Sequence, residues 1–176
     1  MACCIEEQLA SRAQPVIDLL RKTGLSLVTA ESCTAGLVAA VLSHGSQASE
    51  CLHGGFVVYT KAHKNEALGV DDLLLRSQGS VNAEVARQMA EGALRHSHAA
   101  LGLSVTGVLG PNPDEDNNPP GLVYLGLARH GRPTQTVRCD FGKIDPDEVR
   151  RLTVIRALDL VSATIAPATT RHEITG

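Results

Sequence analysis

The sequence predicts an α/β protein, a three-layer α/β/α domain whose sheet is mostly parallel with one antiparallel member. Apolar strand-like segments alternate with amphipathic helical segments along most of the chain, and a hairpin pattern follows them. The length of 176 residues is that of one domain and suffices to bury a core. We find no internal repeat and no linker, so we expect residues 1–176 to form a single domain with a frayed segment after Pro167.

The first predicted element is a helix, and a strand followed by a second helix comes after it. Apolar spacing predicts the first helix from about residue 5 to residue 22. Pro15 lies inside it, where a lost hydrogen bond and a ring clash predict either a kink or a break from which a second part begins. A short strand over 26–29 then leads into a helix over about 34–43.

Two more strands complete the predicted parallel part of the sheet. A buried strand over 54–59 leads into a short helix over 60–68. The apolar density over 101–106 predicts a central strand. The helix before this strand begins after Asn82 as its cap, and three of its residues are expected to face inward: Val85, Met89 and Ala93.

A long loop, a hairpin and a helix form the rest of the chain. The loop covers 107–121, and loops of this length inside compact domains are usually functional or mobile. Strands over 122–128 and 134–139 flank a short connection and predict the hairpin. The last helix is predicted over about 145–166, with an apolar stripe of Val149, Leu152, Ile155, Leu158 and Val161 or Ser162.

Composition argues against several classes of function. The net charge is −3 and aromatic residues make up 2% of the chain. The chain therefore lacks a basic stripe to neutralise phosphates and has few aromatic rings on which bases could stack, which argues against a nucleic-acid partner. No apolar run approaches the roughly 18 residues of a membrane span. The five cysteines show no metal-ligand spacing and follow no signal-peptide pattern, so we expect a cytoplasmic protein without a metal site.

Polar residues follow the predicted parallel strands at the edge of the sheet where ligands bind in this class of fold. Ser32 follows the first strand, Tyr59 the second, and Thr106 with Gly107 the third. The N–H groups of a first helical turn and the helix dipole add partial positive charge at such a junction. Taken alone, however, these residues favour Ser32 or Thr34 as only a helix N-cap, so the junction by itself does not establish a catalytic site.

Four motifs in order extend over nearly the whole chain: TAESCT at 29–34, GFVVYT at 55–60 with Lys64 five residues after the tyrosine, G-x-x-G-P at 107–111, and VRR at 149–151. Together they resemble the C-terminal domain of the CinA family, the competence/damage-inducible protein domain that in many bacteria acts as nicotinamide mononucleotide amidase. The resemblance implies a mixed five-stranded sheet, hydrolysis of this nucleotide to nicotinate mononucleotide and ammonia without a metal or cofactor, and a homodimer. The chain has no room for the family's extra N-terminal domain, so it resembles the stand-alone form.

The resemblance also implies catalytic roles. It makes Ser32 the nucleophile and Lys64 its base, with Tyr59 supporting them and Arg151 contacting the ligand. A serine hydroxyl must lose its proton to attack a carboxamide. A lysine can accept that proton only where burial or a nearby cation lowers its pKa from about 10.4.

The expected substrate contacts lie around this pair. The N–H groups near Cys33 and Thr34 are expected to hold the oxyanion. Glycines after the third strand would let the backbone approach a phosphate. The candidate substrate-binding residues are Thr34, Thr106, Gly107, Gly110, Arg151 and Lys61.

Several alternatives stay open. Lys61 is an equally close rival of Lys64 from spacing alone, and only the family pattern favours Lys64. Arg150 and Arg151 can be an ordinary polar face of the last helix. The acidic run 114–116 stands where the family's loop is rich in glycine, and its charge opposes a phosphate, which Lys61 would partly compensate. Two other functions therefore remain: hydrolysis of another, unphosphorylated amide on the same scaffold, and non-catalytic binding of a nucleotide or partner.

Overall fold

The structure, a computed structural model, describes residues 5–165, with side chains from Gln8 onward. Within that range the helices are α1 (Ile5–Thr23), α2 (Leu37–Ser43), α3 (Lys61–Leu68), α4 (Asp72–Gln78), α5 (Ala83–Arg95) and α6 (Pro146–Ile165), with a short 3-10 helix over Ala48–Glu50. The strands are β1 (Leu27–Glu31), β2 (Leu52–Val57), β3 (Leu101–Gly107), β4 (Leu122–Arg129) and β5 (Arg132–Asp140). The fraying expected after Pro167 lies outside the described residues.

The five strands form one mixed sheet in the order β2-β1-β3-β4-β5. β1 pairs in parallel with β2 and β3, whereas β4 pairs antiparallel with β3 and with β5. In the described part of the chain, β4 is therefore the one strand that runs against the others. This confirms the predicted sheet and the predicted hairpin.

Helices cover both faces of the sheet and confirm the three-layer architecture. On one face α1, α2 and α6 pack together against side chains such as Leu27 and Leu103. On the other face α3, α4 and α5 bury Val28 and Ala30. β1 alternates its side chains between the two cores, so its carboxyl end lies between the helices of the two layers.

Two of the predicted elements differ from the structure. α1 runs from Ile5 to Thr23 as one helix, so of the two alternatives at Pro15 the break is excluded. The exposed proline is tolerated because the opposite face, with Ala13 and Ile17, is fully buried and its packing offsets the lost hydrogen bond. β2 is an edge strand that alternates between half-buried and exposed residues rather than a buried strand, since a neighbouring strand covers only one side of it.

The buried stripe of α6 also differs from the predicted one. Leu152 and Ile155 are only half-buried, whereas Thr153, Val154 and Ala157 are buried. The core accepts a threonine because its hydroxyl donates to a carbonyl one turn earlier at 2.7 Å. No helix within residues 5–165 combines the length and the apolar character needed to cross a membrane.

Candidate active site

Ser32 and Lys64, 32 positions apart in the sequence, lie in contact at the carboxyl end of β1. Lys64 Nζ is 2.9 Å from Ser32 Oγ. The Ser32 N–H donates to the Val105 carbonyl of β3 at 3.0 Å, which ties the serine to the sheet. Lys64 comes from α3, whose start is set by the Thr60 hydroxyl as N-cap. The structure thus brings the predicted nucleophile and the predicted base within hydrogen-bond distance.

Lys64 lies in an environment that favours the neutral amine. The residue is only 1% exposed, and burial lowers its pKa to about 8 because the charged form loses its solvation. The carbonyl oxygens of Val58 and Tyr59 each lie 3.2 Å from Nζ and can accept the two N–H groups of a neutral amine. The lone pair then remains for the proton of the Ser32 hydroxyl. This is the arrangement that a general base requires.

The turn after Ser32 is built around the carboxylate of Glu31, the last residue of β1. This carboxylate is fully buried. It accepts four hydrogen bonds of 2.7–3.0 Å, from the Thr34 hydroxyl and from the N–H groups of Gly36, Val38 and Ala39. A buried carboxylate at a helix N-terminus satisfies the free N–H groups and complements the helix dipole. Glu31 therefore both starts α2 and shapes the loop that presents the serine.

This arrangement corrects two expectations. α2 begins at Leu37 rather than near residue 34, because Ala35 and Gly36 take left-handed conformations with φ of 52° and 94°. Neither Ser32 nor Thr34 caps the helix, since the N-cap position is Gly36 and makes no side-chain cap. The N-cap interpretation is therefore wrong, and the Ser32 hydroxyl remains available to Lys64. The signal in the sequence was an acidic residue just before a helix, which complements the dipole.

Lys61, the rival base, is held by two carboxylates of the loop between β3 and β4. Its Nζ lies 2.7 Å from Asp116 Oδ1 and 3.0 Å from Glu115 Oε1. The hydrogen bond to Asp116 raises the pKa of Lys61, so this lysine keeps its proton. Of the two lysines, Lys64 is the one placed to accept the proton of Ser32. The Lys61 amine is engaged by carboxylates rather than free to bind a phosphate.

Two adjoining cavities lie at this end of the sheet, and one of them reaches the serine. The first, of about 170 Å³, has Ser32 in its wall together with Ser80, Val81, Thr106 and Glu115. The second, of about 320 Å³, is lined by Val108, Leu109, Gly110, Pro146 and Arg150. Residues common to both walls make them one continuous cleft: Cys33, Tyr59, Gly107 and Asp114.

The remaining predicted residues take different places around the cleft. Gly107 and Gly110 lie in its wall. The Tyr59 side chain is 70% exposed at the rim, and its carbonyl holds Lys64. Thr34 and Thr106 are buried, and their hydroxyls donate within the protein, to Glu31 and to the Ser80 carbonyl respectively. The threonine hydroxyls are therefore committed to holding the loops rather than to a ligand.

The structure places Arg150, not Arg151, in the wall of the cleft. Arg151 lines neither cavity and pairs with Glu148 at 2.6 Å. Arg150 lines the larger cavity and pairs with Asp147 at 2.7 Å. Successive residues of a helix point about 100° apart, so the VRR motif could not show which arginine faces the cleft.

Charge is distributed unevenly along the cleft. Glu115 lies only in the wall of the cavity that contains Ser32, Arg150 lies only in the wall of the larger cavity, and Asp114 lies in the wall of both. Burial raises the pKa of the Cys33 thiol to about 12, so this neighbour of the serine stays a thiol and is no competing nucleophile. Within residues 5–165 no group of three or more His, Cys, Asp or Glu side chains is arranged to hold a metal ion.

Comparisons with known proteins agree on one family. The sequence profile of the CinA C-terminal domain matches residues 9–165. The solved structure of the competence/damage inducible protein CihA from Agrobacterium tumefaciens has a TM-score of 0.82 and 36% identity, covering 93% of this chain and 98% of that chain. A CinA superfamily protein from Escherichia coli has a TM-score of 0.81 and 30% identity, covering 86% and 87% of the two chains.

Relatives known from sequence are longer than this chain. A CinA-like protein of Kosmotoga olearia is 38% identical over 152 residues, which make up 86% of this chain and 36% of that protein. A CinA-like protein of Geobacter sulfurreducens is 40% identical over 145 residues, 82% of this chain and 34% of that protein. The chain thus spans about a third of the length of these curated relatives. Sequence profile, sequence identity and fold together show that the chain belongs to the CinA C-terminal domain family.

Proposed function

We propose that the chain is an amidohydrolase that converts nicotinamide mononucleotide to nicotinate mononucleotide and ammonia. The observation that carries the proposal is the 2.9 Å contact between Ser32 Oγ and the amine of a buried lysine whose pKa is lowered to about 8. An ordinary lysine is almost wholly protonated at neutral pH. The lowered pKa leaves about a tenth of Lys64 neutral at pH 7, which is enough for general-base catalysis.

In the acylation step, neutral Lys64 takes the proton of Ser32 as Oγ attacks the carboxamide carbon. A C–O bond forms, and the electron pair of the carbonyl moves to its oxygen. When the tetrahedral intermediate collapses, the C–N bond breaks and Lys64 gives its proton to the departing nitrogen, which leaves as ammonia. Deacylation repeats the sequence with water as nucleophile, and Lys64 returns the proton to Ser32.

The loop that Glu31 organises offers donors for the oxyanion. Within the described chain, no backbone carbonyl accepts a hydrogen bond from the N–H of Cys33 or Thr34. Both N–H groups belong to the tight turn that directly follows the nucleophile, at the N-terminal side of α2. Backbone donors fixed in advance at such a place stabilise developing negative charge, and the loss of one typically costs about 3 kcal/mol of transition-state stabilisation.

The charge pattern of the cleft supports a substrate with opposite charges at its two ends. In nicotinamide mononucleotide the ring that carries the carboxamide is a pyridinium cation, and the phosphate lies at the other end. Glu115 would face the cationic ring while its carboxamide is beside Ser32, and Asp114 lies between the two cavities with its carboxylate bound within its own loop. Arg150 in the larger cavity would face the phosphate. The acidic run therefore need not oppose this substrate if the ring, rather than the phosphate, occupies the smaller cavity.

Ammonia release from nicotinamide mononucleotide tests the proposal. We expect Ser32→Ala and Lys64→Met each to lower kcat/KM by about a hundredfold or more. Ser43→Ala and Lys143→Met serve as matched controls, since both residues lie away from the cleft and are exposed. Undiminished turnover by either site variant would refute the mechanism. Binding of the nucleotide without release of ammonia would leave the chain as a binding domain.

A second candidate function is hydrolysis of an unphosphorylated amide that carries the same cationic ring. The carboxylates of Asp114, Glu115 and Asp116 beside the cleft favour it, because they repel a free phosphate. The comparison of nicotinamide mononucleotide with its riboside separates the two functions. A preference for the nucleotide that Arg150→Gln abolishes supports the first, and a preference for the riboside supports the second.

A further inference from the structure

An ion pair joins the helix that carries Lys64 to the long loop between β3 and β4. Lys61, in the first turn of α3, holds Asp116 at 2.7 Å and Glu115 at 3.0 Å. Lys61 and Asp116 are both partly buried, with side chains 28% and 23% exposed. A pair sheltered in this way is less weakened by solvent than an exposed surface pair.

Asp116 also reaches a third segment of the chain. Its Oδ2 accepts a hydrogen bond from the Ser80 N–H at 3.2 Å. The carboxylate packs directly against the backbone at Gly79. A Cβ atom added to this glycine would be only 2.5 Å from Oδ2, so there is no room for a side chain at this position. The Ser80 carbonyl in turn accepts from the buried Thr106 hydroxyl of β3 at 2.8 Å. Asp116 thus connects α3, the loop and the end of β3.

These connected segments make up the walls of the cavity that contains Ser32. Ser80, Thr106 and Glu115 line it, and Lys64 reaches the serine from the same helix that carries Lys61. Inside the loop, Asp114 accepts hydrogen bonds from the N–H groups of Asp116 and Asn118 at 3.0 and 2.8 Å. Residues 114–118 therefore form a compact, internally hydrogen-bonded turn that includes Asp116.

We propose that Lys61 and Asp116 are positioning residues, whose ion pair docks the 107–121 loop onto α3 and so keeps the wall of the Ser32 cavity closed around Lys64. Neither residue touches the reacting atoms in this account. Only the effect of this loop docking on turnover rests on the proposed function. The docking itself is a property of the folded chain and is measured without substrate.

Two charged or titratable groups act on the Lys64 amine from the surrounding elements. They are Cys33 in the loop after β1, which burial keeps as a thiol, and Lys61 on α3, whose charge lowers the pKa of Lys64. Lys61 in turn faces Glu115 and Asp116. Removal of Lys61 takes away a cation and admits water to Lys64. Both changes raise the pKa of Lys64 toward its ordinary value.

The experiment compares Lys61→Met, Asp116→Asn and the conservative Lys61→Arg with the unaltered protein. The control is Asp72→Asn, which removes an exposed ion pair of the same length with Arg76 on α4. We measure amide hydrogen exchange over residues 79–81 and 112–118. We also titrate the lysine Cε signals by NMR, which is practical because the sequence has four lysines, Lys22, Lys61, Lys64 and Lys143.

We expect exchange in these segments to accelerate about tenfold in Lys61→Met and Asp116→Asn, and to stay near its original rate in Lys61→Arg and Asp72→Asn. The Lys64 signal should titrate at higher pH in Lys61→Met and not in Lys61→Arg. Unchanged exchange in Lys61→Met and Asp116→Asn, or an unchanged Lys64 titration in Lys61→Met, overturns the proposal. Failure of the unaltered chain to release ammonia overturns the proposed function and leaves these two measurements intact.

Discussion

Replacement of Lys64 by methionine tests whether burial lowers the pKa of this lysine. In the folded protein its pKa is lowered from 10.5 to about 8, mainly by burial. Between these two pH values the unfolded chain binds more protons than the folded one, so stability rises with pH. At 1.36 kcal/mol per pKa unit, the rise across this window is about 3 kcal/mol. Below pH 8 the full penalty of burying the amine is present.

The assay is urea unfolding of the unaltered protein and of Lys64→Met at several pH values from 7 to 10.5. Lost hydrogen bonds to Val58 and Tyr59 shift the difference between the two proteins by an amount that varies little with pH. The change of that difference with pH therefore isolates the titration of Lys64. We expect the unaltered protein to gain about 3 kcal/mol relative to the variant over this range.

Lys143→Met is the control, because Lys143 is exposed and its replacement should leave the pH dependence of stability unchanged. A stability difference between the unaltered protein and Lys64→Met that stays constant from pH 7 to 10.5 would refute the reasoning. In that case Lys64 would titrate alike in the folded and unfolded chain, and the account of Lys64 as a base would lose its physical support.

Three further predictions concern the same region. The kcat/KM for ammonia release should rise about tenfold per pH unit up to about pH 8 and then level off, as neutral Lys64 accumulates, and a flat profile below pH 8 contradicts this assignment. Glu31→Ala should lower the free energy of unfolding by about 3 kcal/mol, since three N–H groups and a hydroxyl lose a buried acceptor, and a loss below ~1 kcal/mol in urea unfolding argues against its role. Thr29→Val should raise the free energy of unfolding by about 1 kcal/mol, because the buried Thr29 hydroxyl has no hydrogen-bond partner in the described part of the chain. Destabilisation in thermal or urea unfolding would show that this hydroxyl has a partner after all.

Local patterns in the sequence were enough to predict most of the fold. The α5 helix begins after Asn82, whose side chain accepts from the Val85 N–H, as its capping pattern predicts. The hairpin between β4 and β5 and the end of α3 before its C-cap Gly69 follow from equally local signals. Caps, turns and apolar periodicity depend on residues a few positions apart, so the sequence alone is enough to predict the elements they form. The family motifs likewise identify Ser32 and Lys64 as candidates.

The chemistry of the site was decided by contacts between residues distant in sequence. Spacing alone could not choose between Lys61 and Lys64, because one is bound by Asp116, 55 positions away, and the other is buried against Ser32, 32 positions away. These surroundings raise the pKa of the first lysine and lower that of the second. The assignment of Arg150 rather than Arg151 to the cleft similarly depends on how α6 is rotated against the sheet. The sequence by itself determined which residues were available at the site, and only the tertiary structure, through burial and long-range ion pairs, decided which lysine gives up its proton near neutral pH.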